Sequence, residues 1–187
     1  MPGFEVFGAE ERDAINELFD LNGGIIFAHS FDAMRKGVYR VREFETAFAL
    51  RMGIKYAQAV SSGSTALKTA LKALGIKRGD EVITTAFTFV ATVEAILECG
   101  ARPVIVDINE TLNISPEAFE EAITSKTKVV IPVHMMGVSA QMDEIMYVAK
   151  RNNLKVLEDT AQGLGGTYKG RTLGTIGDMG AFSLDAG

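Results

Sequence analysis

From Tyr56 to Phe182 the chain alternates short apolar runs with stretches whose apolar residues recur at helical spacing, and this alternation limits the fold more than any other feature. An apolar run from Tyr56 to Val60 precedes a helix predicted over 64–74. Strand over 81–84, helix over 89–99 and strand over 103–107 follow. A helix opened by Ser115-Pro116, a strand over 128–133, a helix over 142–152, a strand over 155–157 and a last short strand near Phe182 complete the pattern. Strands separated by whole helices pair in parallel through crossovers, with helices covering both faces. The expected fold is therefore α/β: a three-layer αβα arrangement around a mostly parallel sheet. Ser115 as cap and Pro116 at the first helical position strengthen it, because proline lacks only an N–H that would have had no intrahelical partner.

Upstream, Val41, Phe44, Ala47, Phe48 and Met52 follow helical spacing and Gly53 ends the run. Residues 1–40 mix polarities and carry Gly23, Gly24 and Gly37, and read as an N-terminal arm around a larger body. No composition shift or repeat divides residues 41–187, which read as part of one domain.

Composition excludes several classes. A length of 187 residues at 47% hydrophobic suits one sizeable domain. The formal charge of −5, with no Lys/Arg run, speaks against nucleic acid as a partner. Cys99 is the single cysteine, so a disulfide framework is ruled out, a small buried hydrophobe is the expectation, and a cytoplasmic setting fits. The opening Met1-Pro2-Gly3-Phe4-Glu5 lacks a basic region followed by an apolar run, and no segment stays apolar for the ~20 residues a membrane span needs. A soluble protein without membrane contact is expected. With His29 and His134 the only histidines, no metal site is expected.

Four segments carry chemistry. Ser61-Ser62-Gly63-Ser64-Thr65 is expected to lie between a strand and a helix, where free N–H groups and the helix dipole favour an anion such as phosphate. Taken alone it is equally a plain N-cap. Leu157-Glu158-Asp159-Thr160-Ala161-Gln162 puts an acid at the carboxyl end of a buried strand, the edge where open parallel sheets bind ligands. A desolvated Asp159 calls for a cation, which a protonated pyridine nitrogen supplies; a cap on the following segment is its plainer role, and Glu158 is expected to face solvent or enter a salt bridge. Thr84 to Thr92 carries Phe87 and Phe89 after a strand end, flat faces for a heteroaromatic ring or simply core. Gly177 to Gly187 forms a turn and strand with a hydroxyl at Ser183.

Taken together, "SSGSTALKTALKALGIKRGDEVITTAFTFVAT", "TKVVIPVHMMG" and "LEDTAQGLGGTYKGRTLGTIGDMGAFS" resemble the DegT/DnrJ/EryC1/StrS family of fold-type I (aspartate-aminotransferase-like) enzymes that use pyridoxal 5′-phosphate (PLP). The resemblance runs from about Arg42 to Gly187 and implies the N-terminal portion of the PLP-binding large domain. It implies a phosphate cradle at Gly63, Ser64 and Thr65, ring stacking by Phe89, and Asp159 on the pyridine nitrogen, with Gln162 at the ring's phenolic oxygen and Ser183 as a further phosphate contact. The cofactor-anchoring lysine of the family would come immediately after Gly187. The implied reaction moves an amino group, from glutamate, to a keto or aldehyde sugar in a homodimer, with the apolar segment Phe27 to Met34 near the interface. "MPGFEVFG" and "FDAMRKG" further resemble the branch of the family acting on 8-oxo-3-deoxy-octulosonate.

Alternatives stay open on the residues: a PLP-dependent sugar 3-dehydratase of the same family, with histidine in place of the lysine; an NAD(P)-dependent α/β oxidoreductase; or a non-catalytic relative. His134 reads as a packed or hydrogen-bonded side chain. Gly163-Leu164-Gly165-Gly166 lacks the following helix of a dinucleotide turn. Tyr147 is expected to pack, and Met135, Met136, Met142 and Met146 to fill core gaps.

Overall fold

The computed structural model describes residues 8–22, 24–25 and 32–185, and the chain divides into two units, residues 1–59 with 185–187 and residues 60–184. The first unit holds α1 (Ala9–Asn22), α2 (Asp32–Arg35) and α3 (Arg40–Met52). Helix α3 ends as its sequence implies: Gly53 takes the left-handed conformation at φ 68°, and its N–H returns to the carbonyls of Ala49 and Leu50. Arg40 reaches Glu17 on α1 and Glu43 on its own helix; such exposed pairs contribute little. The run from Tyr56 to Val60 forms no strand. Within it, the Glu45 carboxylate accepts from the Gln58 side chain and the Ala59 amide. The opening octulosonate-like segment through residue 7, and residues 27–31 of the expected interface segment, lie outside the described residues.

The second unit contains α4 (Gly63–Ala73), β1 (Glu81–Thr85), α5 (Val90–Glu98), β2 (Arg102–Val106), α6 (Pro116–Glu121), β3 (Thr127–Ile131), α7 (Met142–Arg151), β4 (Lys155–Asp159), β5 (Thr167–Tyr168), β6 (Arg171–Thr172) and β7 (Met179–Ala181). Five strands form one parallel sheet in the order β2-β1-β3-β4-β7. Because a strand's side chains alternate, each inner strand feeds two cores. Val82, Val129, Ile131 and Leu157 pack with Leu67 and Leu71 of α4 and Ile96 of α5. Ile83, Val130 and Val156 pack with Phe119 of α6 and Met142, Ile145 and Val148 of α7. The unit is thus the three-layer αβα arrangement read from the sequence, with Cys99 buried in the first core. Ser115 caps α6, its Oγ accepting the Ala118 amide at 3.2 Å, with Pro116 in the first turn.

Three local features depart from the sequence reading. Residues β5 and β6 form an antiparallel hairpin whose turn residues, Lys169 and Gly170, both have positive φ (48° and 78°), the geometry that matches strand twist in a two-residue loop. Tyr147 does not pack: it falls outside the buried stripe of α7, is 62% exposed, and carries the Arg151 guanidinium 5.3 Å from its ring centre. Of the methionines, Met142 fills the core as expected, whereas Met136 is exposed.

Strand β7 must approach the loop before it very closely. A Cβ on Gly180 would lie 2.1 Å from the Gly174 carbonyl oxygen, a backbone atom that cannot swing aside. Gly180→Ala is therefore expected to lower stability by about 2–3 kcal/mol through overpacking, read as a lower urea midpoint with unchanged slope; an unaltered midpoint would show that this edge relaxes freely.

Candidate functional site

The residues with chemical promise converge at the carboxyl edge of the sheet. Helix α4 begins with Ser62 as its cap, in extended conformation, the Ser62 Oγ accepting the Thr65 amide at 3.1 Å. The cap is thus Ser62, and the Gly63 and Ser64 amides remain the first-turn donors that the helix itself does not use. Thr65 Oγ1 lies 3.0 Å from Ser62 Oγ and 3.2 Å from Ser61 Oγ, so hydroxyls and amides gather at the positive end of the helix dipole.

Ser183 meets this turn from the other side. A Cβ on Gly63 would stand 3.1 Å from the Ser183 Cβ and 3.4 Å from its Oγ, so any side chain at position 63 would fill the space between them. Parallel pairing of β4 with β7 sets Asp159 opposite Ala181, two residues before Ser183. The acid at the end of β4 and the hydroxyl-rich turn therefore share one edge.

Asp159 is 4% exposed. Its Oδ2 accepts the Thr92 hydroxyl at 2.8 Å and its Oδ1 the Ala161 amide at 3.2 Å. Burial pushes its carboxyl above the usual range, against the opposing pull of Thr92, the Ala161 amide and His134. Such a carboxylate is short of positive charge. Phe89, the cap residue of α5, stands one turn before Thr92 and is 68% exposed, leaving its ring face available. Gln162 Oε1 accepts the Met136 amide at 2.8 Å, which turns the amide so that its NH2 group is left as the donor. Met136 achieves this in a left-handed conformation at φ 53°.

Glu158 takes the second of its two expected settings, a pairing with another side chain. It does not face solvent: strand alternation turns it to the opposite face from Asp159, where it is fully buried. Its Oε1 accepts the amides of Ile176 and Gly177 at 2.6 and 2.7 Å, and its Oε2 accepts the Gly174 amide at 2.9 Å. His134, also fully buried, completes the set with Nε2 3.0 Å from Oε2. His134 Nδ1 accepts the Ala140 amide, so Nε2 carries the proton and donates to the carboxylate. Despite desolvation, the His134 and backbone hydrogen bonds hold the Glu158 carboxyl below its ordinary range. The only signal of this pair in the sequence was the buried character of the flanking strands, which reads as apolar packing.

A ring-and-phosphate cofactor fits these residues. The desolvated Asp159 wants a cation, Phe89 offers a flat face, and the absence of a side chain at Gly63 lets the Ser183 hydroxyl come close to the first-turn amides of a helix, donors suited to an anion. Among the described residues, no group of three or more His, Cys, Asp or Glu side chains could hold a metal.

The sequence profile described as the DegT/DnrJ/EryC1/StrS aminotransferase family matches residues 30–187. The chain belongs to this family. Among its relatives, the spore coat polysaccharide biosynthesis protein SpsC of Bacillus subtilis (strain 168) is 51% identical over 79% of this chain and 38% of its own length. GDP-perosamine synthase of Escherichia coli O157:H7 is 42% identical over 94% of this chain and 46% of its own. The crystallised aminotransferase from Psychrobacter cryohalolentis superposes with a TM-score of 0.85 at 41% identity, covering 97% of this chain and 43% of that one. NtdA from Bacillus subtilis, solved with bound cofactor PMP, gives a TM-score of 0.77 at 36% identity over 90% of this chain and 37% of its own. The chain spans less than half the length of these relatives. The parallel unit has the fold-type I architecture, and the family's cofactor is PLP, of which PMP is the amino form.

The ionised Glu158 contributes stability that is fully present above the ordinary glutamate value of 4.5 and is lost as pH falls through its lower folded value. Glu158→Gln removes that charge and turns an NH2 group toward backbone donors, and is expected to destabilise the fold at neutral pH by about 3 kcal/mol. The loss of stability below pH ~4.5 should become shallower in the variant; parallel pH–stability curves for the two proteins would contradict the arrangement.

Proposed function

We propose that these residues are the cofactor-binding part of a PLP-dependent aminotransferase that moves an amino group, from glutamate, to a keto or aldehyde carbon of a sugar in amino-sugar biosynthesis. The observation that carries this reading is Asp159: a carboxylate buried without a full countercharge, on the same sheet edge as the Gly63–Thr65 turn and Ser183. When bound, PLP carries the amino group and delocalises the electron pair released at the donor carbon.

Each residue then has a task of its own. The Gly63 and Ser64 amides, with the hydroxyls of Ser64, Thr65 and Ser183, hold the phosphate at the helix start. Asp159 keeps a proton on the ring nitrogen, because separating that ion pair in a buried site is unfavourable. Phe89 covers one ring face and excludes water from it. The Gln162 NH2 group, set by Met136, donates to the phenolic oxygen. The lysine that anchors the cofactor and moves the proton follows Gly187 in this reading.

Sugar chemistry is supported by the names of the relatives, which belong to polysaccharide and perosamine synthesis. Family membership favours group transfer over NAD(P)-dependent oxidoreduction. A dehydratase reading has one observation in its favour: a GDP-4-keto-6-deoxymannose-3-dehydratase with bound GDP-perosamine shares the fold at a TM-score of 0.82 and 33% identity. The residue after Gly187 separates the two, lysine for transfer and histidine for dehydration. We further propose a cytoplasmic homodimer, with residues 1–40 as an arm and the chain from residue 41 as part of the PLP-binding domain. The buried, unpaired Cys99 suits a reducing compartment, and no helix among the described residues is long and apolar enough to cross a membrane.

Borohydride treatment of the PLP-loaded complete protein, followed by peptide mass analysis, is expected to find the cofactor fixed to the residue following Gly187. Asp159→Asn should retain phosphate-anchored cofactor while slowing amino transfer about 100-fold or more, the usual scale for losing one preorganised charge contact. A full-rate Asp159→Asn enzyme, or cofactor trapped on a different peptide, would overturn the assignment.

A further inference from the structure

We propose that Thr92 and Thr88 form an oriented hydroxyl chain that positions Asp159 and holds it as an ionised acceptor for the cofactor's ring nitrogen, an inference that rests on the PLP reading above. Thr92 projects from the first turn of α5, is almost completely buried, and places Oγ1 2.8 Å from Asp159 Oδ2. The same Oγ1 lies 2.8 Å from Thr88 Oγ1.

Each hydroxyl has one proton to give, and an ionised carboxylate can only accept. The Thr92 proton therefore goes to Asp159, which leaves Thr92 able only to accept, so Thr88 donates to it. A protonated Asp159 could donate instead and the chain would lose its fixed sense. The chain thus favours the charged acid. Its contribution opposes the desolvation that raises the Asp159 carboxyl, together with the Ala161 amide and His134. His134, whose ring lies in the Glu158 network, is the only ionisable side chain acting on Asp159 among the described residues; α4 and α5 supply none.

The chain also connects two contacts to one ring. Thr88 immediately precedes Phe89, the α5 cap residue that has no side-chain cap of its own. Hydrogen bonding from position 88 to position 92 fixes that turn in the absence of a cap, and with it the exposed Phe89 ring relative to the carboxylate. Branching at Cβ restricts both threonines to few rotamers, which lowers the entropy lost in holding the chain. Thr92 and Thr88 act here through Asp159 and Phe89, as positioning residues.

The experiment uses the complete protein and PMP labelled with 15N at the ring nitrogen, because the amine form makes no covalent bond and reports the non-covalent contacts alone. In wild type, the 15N shift should show a protonated ring through neutral pH. Thr92→Val should lower the pH at which the nitrogen loses its proton by about one unit and weaken PMP binding about tenfold, the scale of one lost hydrogen bond to a charged group. Thr92→Ser, which keeps the hydroxyl, should restore both; Thr88→Val should move both the same way by less. A Thr92→Val protein with wild-type titration and affinity overturns the proposal, as does a Thr92→Ser protein that behaves like the valine variant. Should Thr92→Val not fold, an unchanged titration in Thr88→Val overturns it equally. Absence of PMP binding by wild type would instead sink the PLP reading itself, a separate outcome of the same binding measurement.

Discussion

A single buried carboxylate organises the loop that leads into β7. Glu158 gathers the amides of Gly174, Ile176 and Gly177 and the proton of His134, so the loop leading into β7 is drawn onto the end of β4. That loop brings Ser183 to Gly63. Without the clamp, the hydroxyl-rich turn at the start of α4 would lose the approach of Ser183. Buried charge is tolerated here because nearly every lone pair meets a donor.

Adjacent residues on β4 show how one strand separates structure from chemistry. Glu158 and Asp159 point to opposite faces by the period of two. The first is saturated with donors and its carboxyl is held low; the second has fewer partners, is raised by burial, and is left with capacity for a further cation. A difference in hydrogen-bond supply, rather than in depth, divides their roles, since both are buried. Thr92 of α5 supplies part of what Asp159 has, and in the proposed reading a protonated ring would supply the rest.

The sheet edge was readable because strand and helix periodicity survive in the sequence, and each of the five strands of the parallel sheet falls close to its expected place. Small capping devices, Ser115-Pro116 and Gly53, were readable for the same reason: their chemistry is local. Long-range partners were not. The Tyr56–Val60 run looks like a strand but has its polar neighbours taken by Glu45. The β5–β6 hairpin is too short to show alternation, and the αL turn at Lys169 places a non-glycine residue where glycine is the usual cue. Tyr147 lies one step off the buried stripe of α7, a rotation that periodicity over ten residues resolves poorly.

By itself the sequence determined the layer order and the parallel sheet, because these rest on short-range periodicity, while the candidate residues Gly63, Ser64, Thr65, Phe89, Asp159, Gln162 and Ser183 came from the resemblance of its motifs to a known family. Only the tertiary structure decided which of them meet. Ser62 caps the helix, Thr92 reaches across from α5 to Asp159, and Glu158 turns inward to His134. Those outcomes depend on pairings between residues far apart along the chain, where a hydrogen-bonding group takes whichever partner the packed core leaves beside it, and no local pattern encodes that choice.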